Sequence, residues 1–217
     1  MHLAILQTGG IAMKVFKFCK RNLAVIMAVI IGSAGALWTG ITWDHVQETQ
    51  MEIAKQVIRF HVLANSDRTA DQEIKLQVKD RLLKEMGVLL EGADTLDETR
   101  ECLQENLPLL QEKAEETVRL AGSSQAVTVR LTTADFPVKT YGDYTFPAGR
   151  YETLQVELGN AKGHNWWCMI YPSLCFEDAL HPAMTEKGGK KLKGVLSDEA
   201  YDSILQKGEL SIGFLWF

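Results

Sequence analysis

The stretch Val57 to Asp80 (VIRFHVLANSDRTADQEIKLQVKD) leaves the chain few options. Its first eight residues alternate. Ile58, Phe60, Val62 and Ala64 point one way, and Val57, Arg59, His61 and Leu63 the other. Period two with β-branched and aromatic residues predicts a strand. Asn65-Ser66-Asp67 then interrupts the pattern with residues that favour turns and helix starts. Thr69 with Gln72 three residues on has the spacing of a capping box, and Asp71 adds negative charge where the helix dipole favours it. Ile74, Val78, Leu82 and Met86 follow as one apolar row, widened by Leu76 and Leu83, opposite Glu73, Gln77, Asp80, Arg81 and Lys84. Gly87 is the expected stop.

Charge is distributed unevenly along the 217 residues. Before residue 42 there are four basic residues (Lys14, Lys17, Lys20, Arg21) and no acidic ones, leaving 19 basic against 28 acidic beyond it. A body of net charge −9 argues against nucleic acid and anionic membrane surfaces as partners. The basic cluster precedes an uncharged run from Leu23 to Trp38 that extends to Ile41, the pattern of a segment that directs export. Ala34-Gly35-Ala36 fits signal-peptide cleavage; retention of residues 23–41 as an anchor, or burial as a helix in a soluble domain, are the alternatives. Met13 directly precedes the basic cluster and is an alternative start to Met1. The division expected is therefore 1–41, a signal peptide or signal anchor, and 42–217, one exported domain; the membrane is met only through the N-terminal segment.

Within the body, Trp43 to Gln56 reads as a short helix. A second capping box, Thr95 to Glu98, opens a stripe of Leu96, Leu103, Leu107, Leu110, Ala114 and Val118 that ends near Gly122. Pro108 predicts a kink in one long helix, because the stripe keeps its phase across it. Strands follow: Val127, Val129 and Leu131 in alternation, a strand with a turn over Val138 to Phe146, and Leu154, Val156 and Leu158 after the Pro147-Ala148-Gly149 turn. Gly159 to Asn165 has the length of a hairpin loop, and Trp166 to Tyr171 is apolar on both faces, as a central covered strand is. Lys187 to Lys193 reads as an exposed basic loop, Ser197 to Gln206 as a short helix, and Leu210 to Phe217 as a last strand. The fold class expected is α+β: a signal or anchor helix, then a single domain with two main helices packed on a mixed, mostly antiparallel sheet.

Four cysteines occur. Cys168 and Cys175 bracket a turn that could carry a bridge worth about 2–3 kcal/mol in chain entropy; two buried free thiols are the alternative. Cys102 reads as a packed thiol, and Cys19 precedes the export segment. A Cys168 nucleophile with His164 or His181 as base is formally available, but nothing beside Cys168 would lower its pKa. His61, Asp67 and Asp71 are clustered in sequence as acid–base or metal-ligating candidates, without CxxC, HxxxH or HExxH spacing. Each has a plainer use, His61 on a strand face and the aspartates at a helix start. No P-loop or GxGxxG is present, so no cofactor, metal or catalytic residue is expected. Binding suits the residues better. Asn65, Ser66, Asp67, Asp71, Gln72, His61 and Asn165 gather hydrogen-bonding groups, and Trp166 and Trp167 offer large amphipathic area on opposite faces of one strand. The plainer use of the tryptophans is core and sheet cover.

Two ordered blocks carry a resemblance. The first is Ile58-Arg59-Phe60-His61-Val62, Ala64-Asn65-Ser66-Asp67, Asp71-Gln72 and Lys75 to Asp80; the second is Phe146-Pro147-Ala148-Gly149, Asn165-Trp166-Trp167-Cys168, Pro172 and Leu174-Cys175-Phe176. Over roughly residues 50–180 the chain resembles the stage II sporulation protein R family of endospore-forming bacteria; Lys187 to Lys193 has no clear match. The resemblance implies a non-enzymatic signalling protein of sporulation. It would be made in the forespore and exported to the intermembrane space. There it would activate a mother-cell membrane protease, stage II sporulation protein GA, which processes pro-sigma-E. The rival class is an exported hydrolase or metal-binding enzyme built on His61, Asp67 and Asp71.

Overall fold

The computed structural model describes residues 22–172 and 186–205. The chain divides into two compact units, Met1–Glu48 and Thr49–Phe217. Helix α1 (Leu23–Lys55) begins in the first and ends in the second. It takes in the expected short helix as its own C-terminal part. In the first unit Leu23, Val25, Met27, Val29, Ile30, Ile31 and Trp38 are all exposed. An exposed apolar helix surface of this kind is poorly matched to water. Among the described residues no helix is long and apolar enough to cross a membrane; the side chains at 26, 37 and 39–41 of the uncharged run, and those at 42–45 after it, lie outside the description.

The second unit is α+β. After the last turns of α1, which bury Ile53, come β1 (Ile58–Leu63), α2 (Thr69–Leu89), α3 (Leu96–Glu105) and α4 (Leu107–Leu120). Then follow β2 (Val127–Phe136), the ribbon β3 (Lys139–Tyr141) and β4 (Tyr144–Phe146), β5 (Gly149–Leu158), β6 (Asn165–Tyr171), α5 (Glu186–Val195) and α6 (Asp198–Ile204). The main sheet has the order β2-β5-β1-β6. Only β1 and β5 run parallel; β1 with β6, and β2 with β5, are antiparallel. The sheet is therefore mixed and mostly antiparallel, as the sequence suggests.

Alternation along β1 divides the core. Phe60 pairs with Leu154 and Cys168, and Val62 with Val156 and Trp166, so these share one face. Against the helices they bury Ile74, Val78, Leu82 and Met86 of α2, Leu103 of α3, and Leu110, Ala114 and Val118 of α4. The predicted rows are the buried rows except at Leu76, which is exposed, and at Leu96 and Leu107, which are only partly buried. The opposite face carries Arg59, His61 and Trp167, with Phe136 and Tyr151 beside them and the β3–β4 ribbon contributing Tyr141 and Phe146.

Several local expectations need correction. Pro108 does not kink one long helix; it separates α3 from α4, and it occupies the first turn of α4, where a missing N–H breaks no helical bond. The side chain of Asn106 closes α3 by donating to the Cys102 carbonyl at 2.8 Å. Gly87 does not stop α2, which continues to Leu89. Lys187 to Lys193 is not a loop but lies in α5, where Leu192 is buried and helical spacing leaves Lys190 and Lys193 exposed. Trp166 to Tyr171 is not central: among the described residues β6 is an edge strand, and its apolarity on both faces comes from cover above and below the sheet. Cys168 is disulfide-bonded and Cys102 is free. Cys175 and the strand expected at Leu210 to Phe217 lie outside the described residues.

Candidate functional site

The parallel pairing of β1 with β5 creates a topological demand. β5 and β6 are consecutive, yet β1 lies between them, so the loop 159–164 must cross the C-terminal end of β1. The polar run after β1 fastens that crossing. The Ala64 carbonyl accepts from Gly163 N–H at 2.9 Å and the Asn65 carbonyl from Lys162 N–H at 3.3 Å. Asn65 Oδ1 accepts from Asn160 N–H at 2.8 Å. Asp67 Oδ1 accepts from His164 N–H at 2.6 Å and lies 2.6 Å from His164 Nδ1. Two glycines allow the close approach: a Cβ on Gly159 would stand 2.3 Å from Asn65 Oδ1, and one on Gly163 2.3 Å from the Ser66 carbonyl oxygen.

The start of α2 is tied into the same clasp. Asp71 is buried, and its Oδ2 accepts from Asn65 Nδ2 at 3.0 Å, from the Ser66 hydroxyl, and from Arg68 at 3.2 Å. The Ser66 bond, with help from Asn65 and Arg68, holds the Asp71 carboxyl below the usual carboxylate range. His164 does the same for Asp67. Gln72 donates to the Ser66 carbonyl at 2.9 Å and to the His164 carbonyl at 3.4 Å, and accepts from Lys75 Nζ at 2.6 Å. Lys75 also reaches the His164 carbonyl at 3.1 Å, and burial lowers its pKa. The expected Thr69–Gln72 capping box is therefore absent. Arg68 occupies the N-cap without a side-chain bond, and Gln72 turns to the crossover loop instead. The Thr95–Glu98 box forms as expected, with both reciprocal bonds.

His61 belongs to a different place. It is buried on the sheet face away from the helices, stacked on Trp167 at 3.7 Å between ring centroids, and neither ring nitrogen has a hydrogen-bond partner among the described residues. Burial, and then the Arg59 charge, lower its pKa to about 4, so it is neutral at pH 7. Arg59, with no exposed surface, sits 4.2 Å from the Phe136 ring and 4.8 Å from that of Tyr151. Its Nη2 donates to the Tyr141 hydroxyl at 2.9 Å, and among the described residues Nε and Nη1 meet no acceptor at hydrogen-bond geometry. π-Faces take the place of a carboxylate here.

The sequence-predicted residues thus fall into two groups. Asn65, Ser66, Asp67, Asp71 and Gln72 meet in the clasp, with exposed Asn165 beginning the next strand. His61 lies with Trp167 in the aromatic box, while Trp166 packs on Phe60 across the sheet, with Lys79 Nζ 5.3 Å from its ring centroid. Among the described residues no group of three His, Cys, Asp or Glu is placed to hold a metal. Sequence reasoning missed the structural parts of Arg59, Lys75, His164, Gly159 and Gly163. The two loop glycines were the available signal; pairing order decides their use.

The family description for stage II sporulation protein R matches residues 54–181. The stage II sporulation protein R of Bacillus subtilis (strain 168) is 30% identical over 194 residues, covering 88% of this chain and 87% of its own. No solved structure matches. The matched region takes in the strand–clasp–helix unit, the aromatic box and β6, and the chain belongs to the stage II sporulation protein R family.

Proposed function

We propose that this sporulation protein is an exported ligand that activates stage II sporulation protein GA, the membrane protease that processes pro-sigma-E. Family membership supports a role in sporulation. The observation that favours a ligand over an enzyme is how the polar groups of the motif are used. Asp67 and Asp71 accept hydrogen bonds from the crossover clasp, and His61 is neutral and enclosed on the other side of the strand. A general acid or base needs reach to a substrate proton, and these groups have other partners or no access. What the body offers a partner is shape: a fixed strand end with Asp67, Arg68, His164 and Asn165 outermost.

Activation then follows from differential affinity, with the ligand preferring the active arrangement of its receptor. A shift from mostly off to mostly on takes several kcal/mol of preference. The exposed apolar surface of α1 suits passage through, or retention in, the forespore membrane. The test is forespore-only expression of the full chain in cells lacking their own copy. Processed sigma-E in the mother cell is expected; its absence with normal chain levels contradicts the proposal.

A further inference from the structure

Strand β2 is an edge strand among the described residues, and its outer edge is only half occupied. Gln111 of α4 mimics a neighbouring strand there. Its Nε2 donates to the Val127 carbonyl at 2.8 Å, and its Oε1 accepts from Val129 N–H at 2.7 Å. Backbone groups of alternate residues point to the same edge, so those of Leu131, Thr133 and Asp135 point outward as well. Beyond Gln111 no group among the described residues continues the ladder. Beside this open stretch lies a cleft of about 400 Å³, with Leu131 and Thr133 on one side and Ala54, Lys55, Arg100 and Gln104 around it.

The charges of the cleft are unequal. Arg100 is neutralised by Glu152, at 2.9 Å from Nε, and by Asp97. Lys55 is exposed in the last turn of α1 and has no carboxylate partner among the described residues. We infer that the β2 edge from Leu131 to Asp135 receives an extended, acidic segment of the receptor as an added strand, with one of its carboxylates meeting Lys55. Main-chain bonds supply affinity in such an addition, and alternate side chains supply specificity. A second copy of this chain fits less well. Gln111 blocks registers that reach Val129, and a two-fold pair centred on Thr133 sets Asp135 opposite Leu131, a carboxylate facing an apolar side chain rather than a complementary one.

This inference rests on the ligand reading above. Amide hydrogen exchange tests it, on the full chain in detergent with and without the receptor protease. Leu131, Thr133 and Asp135 amides are expected to slow at least tenfold on complex formation, whereas Val129, already bonded to Gln111, stays as it was. In the activation assay Lys55→Glu is expected to need roughly ten times more chain for half-maximal effect, and Thr133→Pro, which removes one outward donor, more still. Circular dichroism confirms that both variants are folded. Unchanged edge amides in a complex that activates normally, or full activity of folded Lys55→Glu, overturn the edge assignment and leave the ligand reading standing. Slowing that depends on chain concentration without receptor assigns the edge to self-association and overturns it too. A wild-type chain that binds no receptor overturns both.

Discussion

Two polar places on one strand are stabilised in opposite ways. At the exit of β1, the Asn65–Asp71 clasp is rich in conventional hydrogen bonds. Further back in the same strand, Arg59 and His61 are buried with few conventional hydrogen bonds among the described residues, chiefly Arg59 to the Tyr141 hydroxyl. The clasp sits where the chain changes direction and backbone groups lack ladder partners, so short polar side chains are the economical solution. The box sits mid-strand, where the ladder already satisfies the backbone and only side chains remain to be accommodated. There the cation is stabilised by ring faces. A polar residue in a motif can therefore be a fastener or a packed wedge, and its residue type does not say which.

Truncating the wedge is expected to cost most. Arg59→Ala should destabilise by about 3–5 kcal/mol in chemical denaturation, as for other large buried side chains. Arg59→Met keeps the bulk and removes a buried charge, so it should recover most of that loss. Equal losses in the two variants would show that the charge, not the volume, holds the box together.

Acid should separate the two places next. His61 is near 6.5 when unfolded and about 4 when folded, so the unfolded chain binds the extra proton. Its contribution is intact above pH 6.5 and is lost as pH falls toward 4, about 3 kcal/mol in all. The carboxyls of Asp67 and Asp71 are also lowered, and their contribution disappears only at lower pH, below their ordinary range. A stability–pH profile of wild type against His61→Phe isolates the upper window; identical slopes between pH 6.5 and 4 would contradict a buried neutral histidine.

Loosening the clasp comes third. Asn65→Ala leaves Asp71 and the Asn160 amide short of a partner and should cost about 1–3 kcal/mol. Faster hydrogen exchange is expected in the 159–164 loop, with the aromatic box unaffected. Matching changes in both places would mean that they are one cooperative unit. Smallest of all, His164→Ala should barely move the unfolding transition, since that side chain is exposed.

The sequence carried the strand at Ile58–Leu63, the apolar rows of α2 and α4, and the Thr95–Glu98 cap, because each is a local periodicity or a local bond. Strand order is not local. Nothing in Gly159 to Asn165 distinguishes a hairpin from a crossover, since the difference lies in β1 taking the place between β5 and β6. With the crossover unseen, Asn65, Asp67 and Gln72 read as unoccupied groups offered to a partner, although the loop already uses them. His61 and Arg59 were legible as a strand face, but not as a box. Phe136, Tyr141, Phe146 and Tyr151 reach them from more than 70 residues away in sequence.

The most direct test of the account asks whether the chain acts by occupancy or by turnover. Full-length chain is titrated into proteoliposomes holding a known amount of stage II sporulation protein GA and pro-sigma-E, and the rate of processing is recorded. A docking ligand predicts a rate that climbs with added chain and levels off once it matches the receptor in amount. Full processing rate from a small fraction of that amount, persisting after the chain is removed, would mark a covalent conversion of the receptor and contradict the account.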